Sequence, residues 1–386
     1  MKVNELATLI IGLALAASAG LNYLERQYKA HKTHTPKILV VWGQGTGEQE
    51  QTHRFKIAAQ HIGVDLEVVS DTDGGKTAAR AAKRVKPDLV LTIERDIPPV
   101  SGVPNYLVLD QSKLNYIVTD AEGYPTLVNP DHYLFTGLLP TFPEIDILKQ
   151  AYERPPKAFY GFKWYPNKFA PKYKMYSEAT NITVASDKFY GFNWYPTLYV
   201  TEYKAQVPTR LFYPGGVLTD NTRSAAKYKR FFAMLDKQGY LEVFGHEDRW
   251  QHTPNSLRGI LPFNGISLIK VNNKFGATLI LHARDHLYGD VPTGRIFEAA
   301  AANTVIISDR NKGIEQNFGD DILYIDIHES AEEVFRQIDG HMQWILAHPQ
   351  QAMQMAQRCH DIFRQKFTLE AQLLNLIELN ESRKQS

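Results

Sequence analysis

Ala277-Thr-Leu-Ile-Leu281-His282-Ala-Arg284-Asp-His286-Leu-Tyr-Gly-Asp290-Val-Pro292-Thr293-Gly294-Arg295-Ile-Phe297-Glu298-Ala-Ala-Ala-Ala302 is the stretch that decides the fold. An apolar run is followed by a polar loop, and Pro292-Thr293 then opens a short Ala-rich helical pattern from Thr293 to Ala302. A second apolar run, Val305-Ile306-Ile307, comes directly after. Strand, loop, helix, strand in that order is the repeating unit of a parallel sheet. In such sheets ligands bind beyond the carboxyl ends of the strands, so the loop after Leu281 is where chemistry is expected. Free N–H groups at a helix beginning near Thr293 and Gly294, with the positive end of its dipole, favour a diphosphate. Arg295 could add a bidentate contact to phosphate. Glu298, on the same face, could accept both hydroxyls of a ribose. The plainer alternative for Arg295 and Glu298 is a surface ion pair at i,i+3. His282 and His286 are spaced i,i+4 but lack the glutamate of a His-Glu-x-x-His motif, so no metal site is expected.

The same alternation extends outward. Arg210-Leu211-Phe212-Tyr213 reads as a strand ending in the tight turn Pro214-Gly215-Gly216. A helix from Thr222 to Gln238, strands Leu241–Phe244 and Ile322–Ile325, a helix near Gly265 to Asn273, and three closing helices between Ser330 and Leu379 fill the C-terminal half. Upstream, Ile38–Trp42, a helix from Glu50 to Ile62, Leu66–Val69, a basic helix from Lys76 to Val85, Leu89–Ile93 and Tyr106–Leu109 form a second doubly wound set. The loop after its first strand, Gly43-Gln-Gly45-Thr-Gly47, is a close-approach turn or a phosphate loop without the P-loop lysine. Its spacing also disfavours a dinucleotide-binding dehydrogenase, which needs G-x-G-x-x-G.

At this point strand, acidic loop, Arg295-x-Phe297-Glu298-Ala299 helix and Val305-Ile-Ile-Ser-Asp309 strand resemble the donor half of GT-B glycosyltransferases, of the family 1 and family 4 kind, over about residues 209 to 380. The resemblance implies an α/β protein of two Rossmann-like domains facing across a cleft: residues 33–205 for the acceptor and 206–386 for a nucleotide-diphosphate sugar. Many retaining members carry two glutamates with seven residues between them; Asp290 stands in the first place here and Glu298 in the second. By resemblance, Glu298 would bind the donor ribose, Arg258 with Gly259 and Lys270 would lie near the nucleotide or its phosphates, and the last helix would cross back onto the N-terminal domain. Gly215, Gly216, His282, Arg284, Thr293, Gly294 and Arg295 complete the donor-side candidates. GT-B enzymes commonly use a helix dipole and basic side chains in place of a metal, so no cofactor and a metal-independent site are expected. His53, Asp110 and Asp131 are candidates for the base that deprotonates an acceptor hydroxyl, and Asp290 joins the catalytic candidates.

Two features remain outside that frame. Phe159-Tyr-Gly-Phe-Lys-Trp-Tyr-Pro166 recurs as Phe189-Tyr-Gly-Phe-Asn-Trp-Tyr-Pro196, a local duplication whose aromatic faces suit sugar rings, lipid interfaces or packing alike. Residues 7–24 are nearly free of charge and close to membrane-spanning length. Arg26, Lys29 and Lys32 follow them, which favours anchoring to the cytoplasmic face of the inner membrane over cleavage after Ala19; a helix packed on the protein itself is the third option.

Composition narrows the classes. With 43 Lys plus Arg against 42 Asp plus Glu, the chain lacks the one-signed field that nucleic-acid binding needs. Its single cysteine, Cys359, excludes an intrachain disulfide and suits a reducing compartment. The leading expectation is a glycosyltransferase acting on a cell-envelope glycan or lipid-linked acceptor in polysaccharide biosynthesis. The alternatives are a sugar-nucleotide epimerase of the same architecture and a non-catalytic carbohydrate-binding scaffold.

Overall fold

Alternate residues of Lys37–Trp42 (β1) are buried against opposite layers of helix. Ile38, Val40 and Trp42 pack on Phe55, Ala58, Ala59 and Ile62 of α1 (Thr46–Ile62), whereas Leu39 and Val41 pack on Ala78, Ala81 and Ala82 of α2 (Lys76–Val85). A strand covered on both faces must be apolar throughout, which is why its sequence reads as an unbroken run. The structure is a computed structural model. It describes residues 34–42, 46–93, 100–109, 117–119, 125–127, 132–136, 189–194, 197–215, 226–282 and 292–384.

The N-terminal sheet continues through β2 (Asp65–Ser70), β3 (Leu89–Ile93) and β4 (Asn105–Leu109). A separate antiparallel pair, β5 (Ile117–Thr119) and β6 (Pro125–Leu127), precedes β7 (His132–Thr136) and β8 (Phe189–Trp194). The order across the sheet is β2-β1-β3-β4-β7-β8, parallel throughout. Residues 189–194 of the second aromatic copy are therefore a strand at the end of this sheet; the first copy, residues 159–166, lies outside the described residues.

The C-terminal sheet contains β9 (Arg210–Tyr213), β10 (Leu241–Val243), β11 (Gly276–Ile280), β12 (Val305–Asp309) and β13 (Leu323–Ile325), in the parallel order β10-β9-β11-β12-β13. Its helices are α3 (Ala226–Gln238), α4 (Ser267–Phe275), α5 (Gly294–Ala301), α6 (Lys312–Phe318), α7 (Ala331–Ala347), α8 (Pro349–Lys366) and α9 (Leu369–Lys384). Ala277, Leu279, Val305 and Ile307 share one core with α3 and α7, while Ile280 and Ile306 share the other with α5 and α8. The strand order reverses direction at β1 in one sheet and at β9 in the other, so each domain has a switch point.

Element bounds shift from the sequence expectation, as at the first helix. The first helix begins at Thr46 and not Glu50, because its polar opening turn carries no apolar period to reveal it. As the family resemblance implies, α9, though within residues 206–386, crosses back onto the N-terminal domain. Leu369, Leu373, Leu376 and Ile377 are buried in the core that holds Ile38, Val40 and Phe55. Asn380 Oδ1 accepts a bond from the Tyr106 hydroxyl at 3.0 Å, and its Nδ2 donates to the Asp88 carbonyl at 3.3 Å. Among the described residues no helix is long and apolar enough to cross a membrane; residues 7–24 lie outside them.

Candidate active site

Between the two switch points lies a cavity of about 740 Å³. Its N-terminal wall is Trp42, the last residue of β1, with Glu48, Glu50, Gln51 and Arg54 from the first three turns of α1. The C-terminal wall is the turn after β9 (Tyr213 to Gly215), the segment after β10 (Phe244 to His246, Arg249, Trp250), the exposed apolar run from Ile260 to Phe263, and Arg295 and Glu298 of α5. Each wall is thus built from residues just beyond strand ends.

The turn after β9 requires glycine. A Cβ on Gly215 would run into the Tyr213 ring and lie 2.5 Å from Arg295 Nη1. The Arg295 guanidinium therefore rests on this backbone turn, and α5 begins just below it. Thr293 holds the N-cap position in extended backbone (φ −69°, ψ 147°), buried and making no side-chain cap bond. Gly294 is the first helical residue.

Glu298 is buried, and its partner is not Arg295. Its Oε1 accepts a bond from Arg54 Nη1 of the opposite domain at 2.6 Å. Arg54, 2% exposed, also donates from Nη2 to Glu50 Oε1 at 3.2 Å, and Glu50 Oε2 accepts the Gly265 N–H at 2.7 Å. Gly265 has φ +77°, and a Cβ there would sit 2.9 Å from the His53 Cβ, so the two domains meet backbone to side chain at this point. The Tyr199 hydroxyl donates to the Gly265 carbonyl at 2.9 Å; burial, with Tyr203 nearby, pushes it up to about 12, so it stays a donor at physiological pH.

Several sequence candidates fall elsewhere. His53 is exposed and packs on Gly265 without lining the cavity, because the helical phase that turns Glu50 and Arg54 inward turns His53 away. Arg258 does not reach the cavity: its guanidinium sits on Glu242, with Nε 2.5 Å from Oε2. A buried carboxylate claims the nearest cation, and Arg210 approaches the same group at 3.7 Å. Lys270 is exposed on α4 and also lies off the cavity. His282 is fully buried at the end of β11, with Nδ1 2.5 Å from Asp309 Oδ1 and its backbone N–H donating to Oδ2 at 3.0 Å. Gly47 lies in the first turn of α1. Gly43, Gly45, Asp110, Asp131, Gly216, Arg284, His286 and Asp290 lie outside the described residues.

Five charged or basic lining residues escaped the sequence reading: Glu48, Glu50, Arg54, His246 and Arg249. The signal was present, since Glu50 and Arg54 form an i,i+4 pair on the helix after the first strand. The His246 to Arg249 segment follows β10, where the strand-end rule directs attention.

Comparison with known proteins bears on the C-terminal half and on the fold. Residues 223–378 match a family model described as Glycosyl transferase-like. Over 90% of its length the chain superposes on sucrose-phosphate synthase from Thermosynechococcus elongatus, covering 98% of that chain at 11% identity and a TM-score of 0.50. It is similar at the same coverage to Anabaena HepE in complex with UDP-glucose (99% of that chain, 10% identity, TM-score 0.49). A glycosyltransferase from Rickettsia africae gives 98% of that chain, 11% identity and a TM-score of 0.48. No curated protein matches the sequence. Residues 223–378 are thus glycosyltransferase-like, and the chain has the GT-B architecture. Its Glycosyl transferase-like segment supplies Arg249, Arg295 and Glu298 to the cavity.

Proposed function

We propose that this enzyme moves a sugar from a nucleotide-diphosphate donor, held by the C-terminal domain, to a cell-envelope glycan or lipid-linked acceptor. The observation that carries this reading is the entry of Arg295 and Glu298, one helical turn apart, into a single cavity from the start of α5, within the segment that matches the glycosyltransferase model. The helix start and the Arg295 guanidinium suit the diphosphate leaving group, whose charge grows as the glycosidic bond breaks. Arg249 and His246 add donors on the same wall. With that charge neutralised by protein groups, transfer proceeds without a metal. Glu298 accepts from the donor ribose. If configuration inverts, the acceptor hydroxyl must lose a proton, and Glu48 on the N-terminal wall joins Asp110 and Asp290 as candidates to take it. The apolar residues 7–24 would hold the enzyme at the cytoplasmic face of the membrane that carries the acceptor.

A thermal-shift screen against UDP, GDP, ADP, CMP and dTDP, with and without EDTA, tests the donor reading. Stabilisation by one nucleotide, unchanged by EDTA, is expected; stabilisation by none would overturn it. Co-flotation with anionic liposomes that disappears on removal of residues 1–32 would support the membrane assignment.

A further inference from the structure

We infer that Arg54, on the acceptor side of the cleft, is a positioning residue of the donor site: it orients Glu298 from the opposite domain. This rests on the reading of Glu298 as the ligand of the donor ribose. The Glu298 carboxylate has two oxygens with unlike surroundings. Oε1 takes a charge-assisted bond from Arg54 at 2.6 Å, whereas Oε2 is buried and has no hydrogen-bond partner among the described residues. Both residues line the cavity. A lone carboxylate at the end of three rotatable bonds would turn freely. Here one oxygen is pinned, so the direction of the other is fixed before any ligand arrives. Arg54 is in turn pinned by Glu50, and Glu50 by the Gly265 N–H. Preorganisation of the ribose contact is therefore supplied across the cleft, and it exists only while the two domains touch. Separation of the domains removes the guanidinium, releases the carboxylate to rotate, and weakens the grip on the ribose.

The test uses the full chain, its Arg54→Gln and Arg54→Lys variants, and Tyr106→Phe, which deletes a bond that ties α9 to the N-terminal domain away from the cavity. Each is titrated calorimetrically with UDP, GDP and ADP and with their 2′-deoxy counterparts, after circular dichroism confirms the fold. Wild type should prefer the ribonucleotide by about tenfold, the worth of one charge-assisted hydrogen bond. Arg54→Gln should lose most of that preference, Arg54→Lys should recover part of it, and Tyr106→Phe should keep it. General loosening of the domain contact would weaken ribo and deoxy forms alike. If wild type prefers the ribonucleotide and both folded Arg54 variants keep the full preference, the positioning role is wrong while the Glu298 reading stands. If wild type binds none of the nucleotides, or shows no preference, the Glu298 reading falls and the role of Arg54 with it.

Discussion

Two strand-then-helix pairs of the parallel sheets face each other across the cleft, β1 with α1 and β11 with α5, and they present opposite charges to it. The N-terminal unit lines the cavity with carboxylates, Glu48 and Glu50, and its one cation there among the described residues, Arg54, is buried and committed to glutamates. Across the cleft the C-terminal wall presents Arg249, Arg295 and His246 beside a helix whose other residues face inward: six of the eight residues of α5 are buried. Both units are switch-point elements of parallel sheets, so the fold alone does not say which side holds an anion. Side-chain charge does, and in the function proposed above it directs the diphosphate to the C-terminal wall. Glu298 is the point where the asymmetry crosses over, an acid on the cationic wall answered by a cation from the acidic one.

The sharpest way to break this comparison is to remove that crossing. Arg54→Ala leaves Glu50 and Glu298 buried without their cation. Breaking a buried pair from one side costs about 3–5 kcal/mol, which urea unfolding monitored by circular dichroism would read. If the walls are coupled as described, Arg54→Ala with Glu298→Ala should be more stable than Arg54→Ala alone, since the second change removes a stranded charge. Simple additivity of two losses would show that the walls stand independently.

Gly215→Ala sharpens the C-terminal side. A methyl group there must displace the Tyr213 ring or the Arg295 guanidinium, and overpacking of this kind costs about 1–3 kcal/mol. Nucleotide affinity should fall with stability, because Arg295 loses its rest. Arg295→Met leaves the turn intact, so it should weaken a nucleoside diphosphate about tenfold while leaving the nucleoside nearly unaffected. Equal losses for both ligands in calorimetric titrations would place Arg295 at the base and not at the phosphates.

A pH titration probes the layer beneath α5. His360 of α8 is 2% exposed, and its Nδ1 lies 2.9 Å from the Ala300 carbonyl of α5. Burial lowers its pKa, only partly offset by that backbone bond. The folded state thus binds fewer protons than the unfolded chain, whose histidine titrates near 6.5. Stability is therefore full above about pH 6.5 and declines as pH falls below it, by at most about 1.4 kcal/mol per pH unit for one group. His360→Gln should flatten that slope in part, with half-buried His252, also lowered chiefly by burial, accounting for a remainder. An unchanged slope would remove His360 from the account.

Legibility in the sequence followed burial. The strands at 89–93 and 210–213 and the helix at 76–85 were readable to the residue, since runs covered on both faces are apolar end to end and the Ala-rich face of α2 is strongly periodic. The Arg295–Glu298 helix was legible because its chemistry is local. What could not be read was any partner far along the chain: Arg54 is 244 residues from Glu298, and only the closed cleft brings them together. The same limit turned Arg258 toward Glu242 in place of phosphate, and put His53 outside while its neighbour Arg54 went in. Helical phase is visible in sequence, but the direction of the cleft is not.

The smallest expected effect concerns the one cysteine, and it asks whether the C-terminal wall is rigid. Cys359 is fully buried in α8 beside Phe363, its thiol directed to the Asp321 carbonyl at 3.5 Å, and burial pushes its pKa well above the usual thiol range. A neutral, enclosed thiol is neither a nucleophile nor a ready target. Cys359→Ser should leave kcat/KM nearly unchanged, and iodoacetamide should label the native protein only as fast as the core opens. Fast labelling under native conditions, measured by mass spectrometry, would mean that the packing of α8 against α5 opens at little cost. In that case the helix start beneath Arg295 is not preorganised, and the contrast between a fixed cationic wall and an acidic one would have to be replaced by a wall that forms when the donor binds.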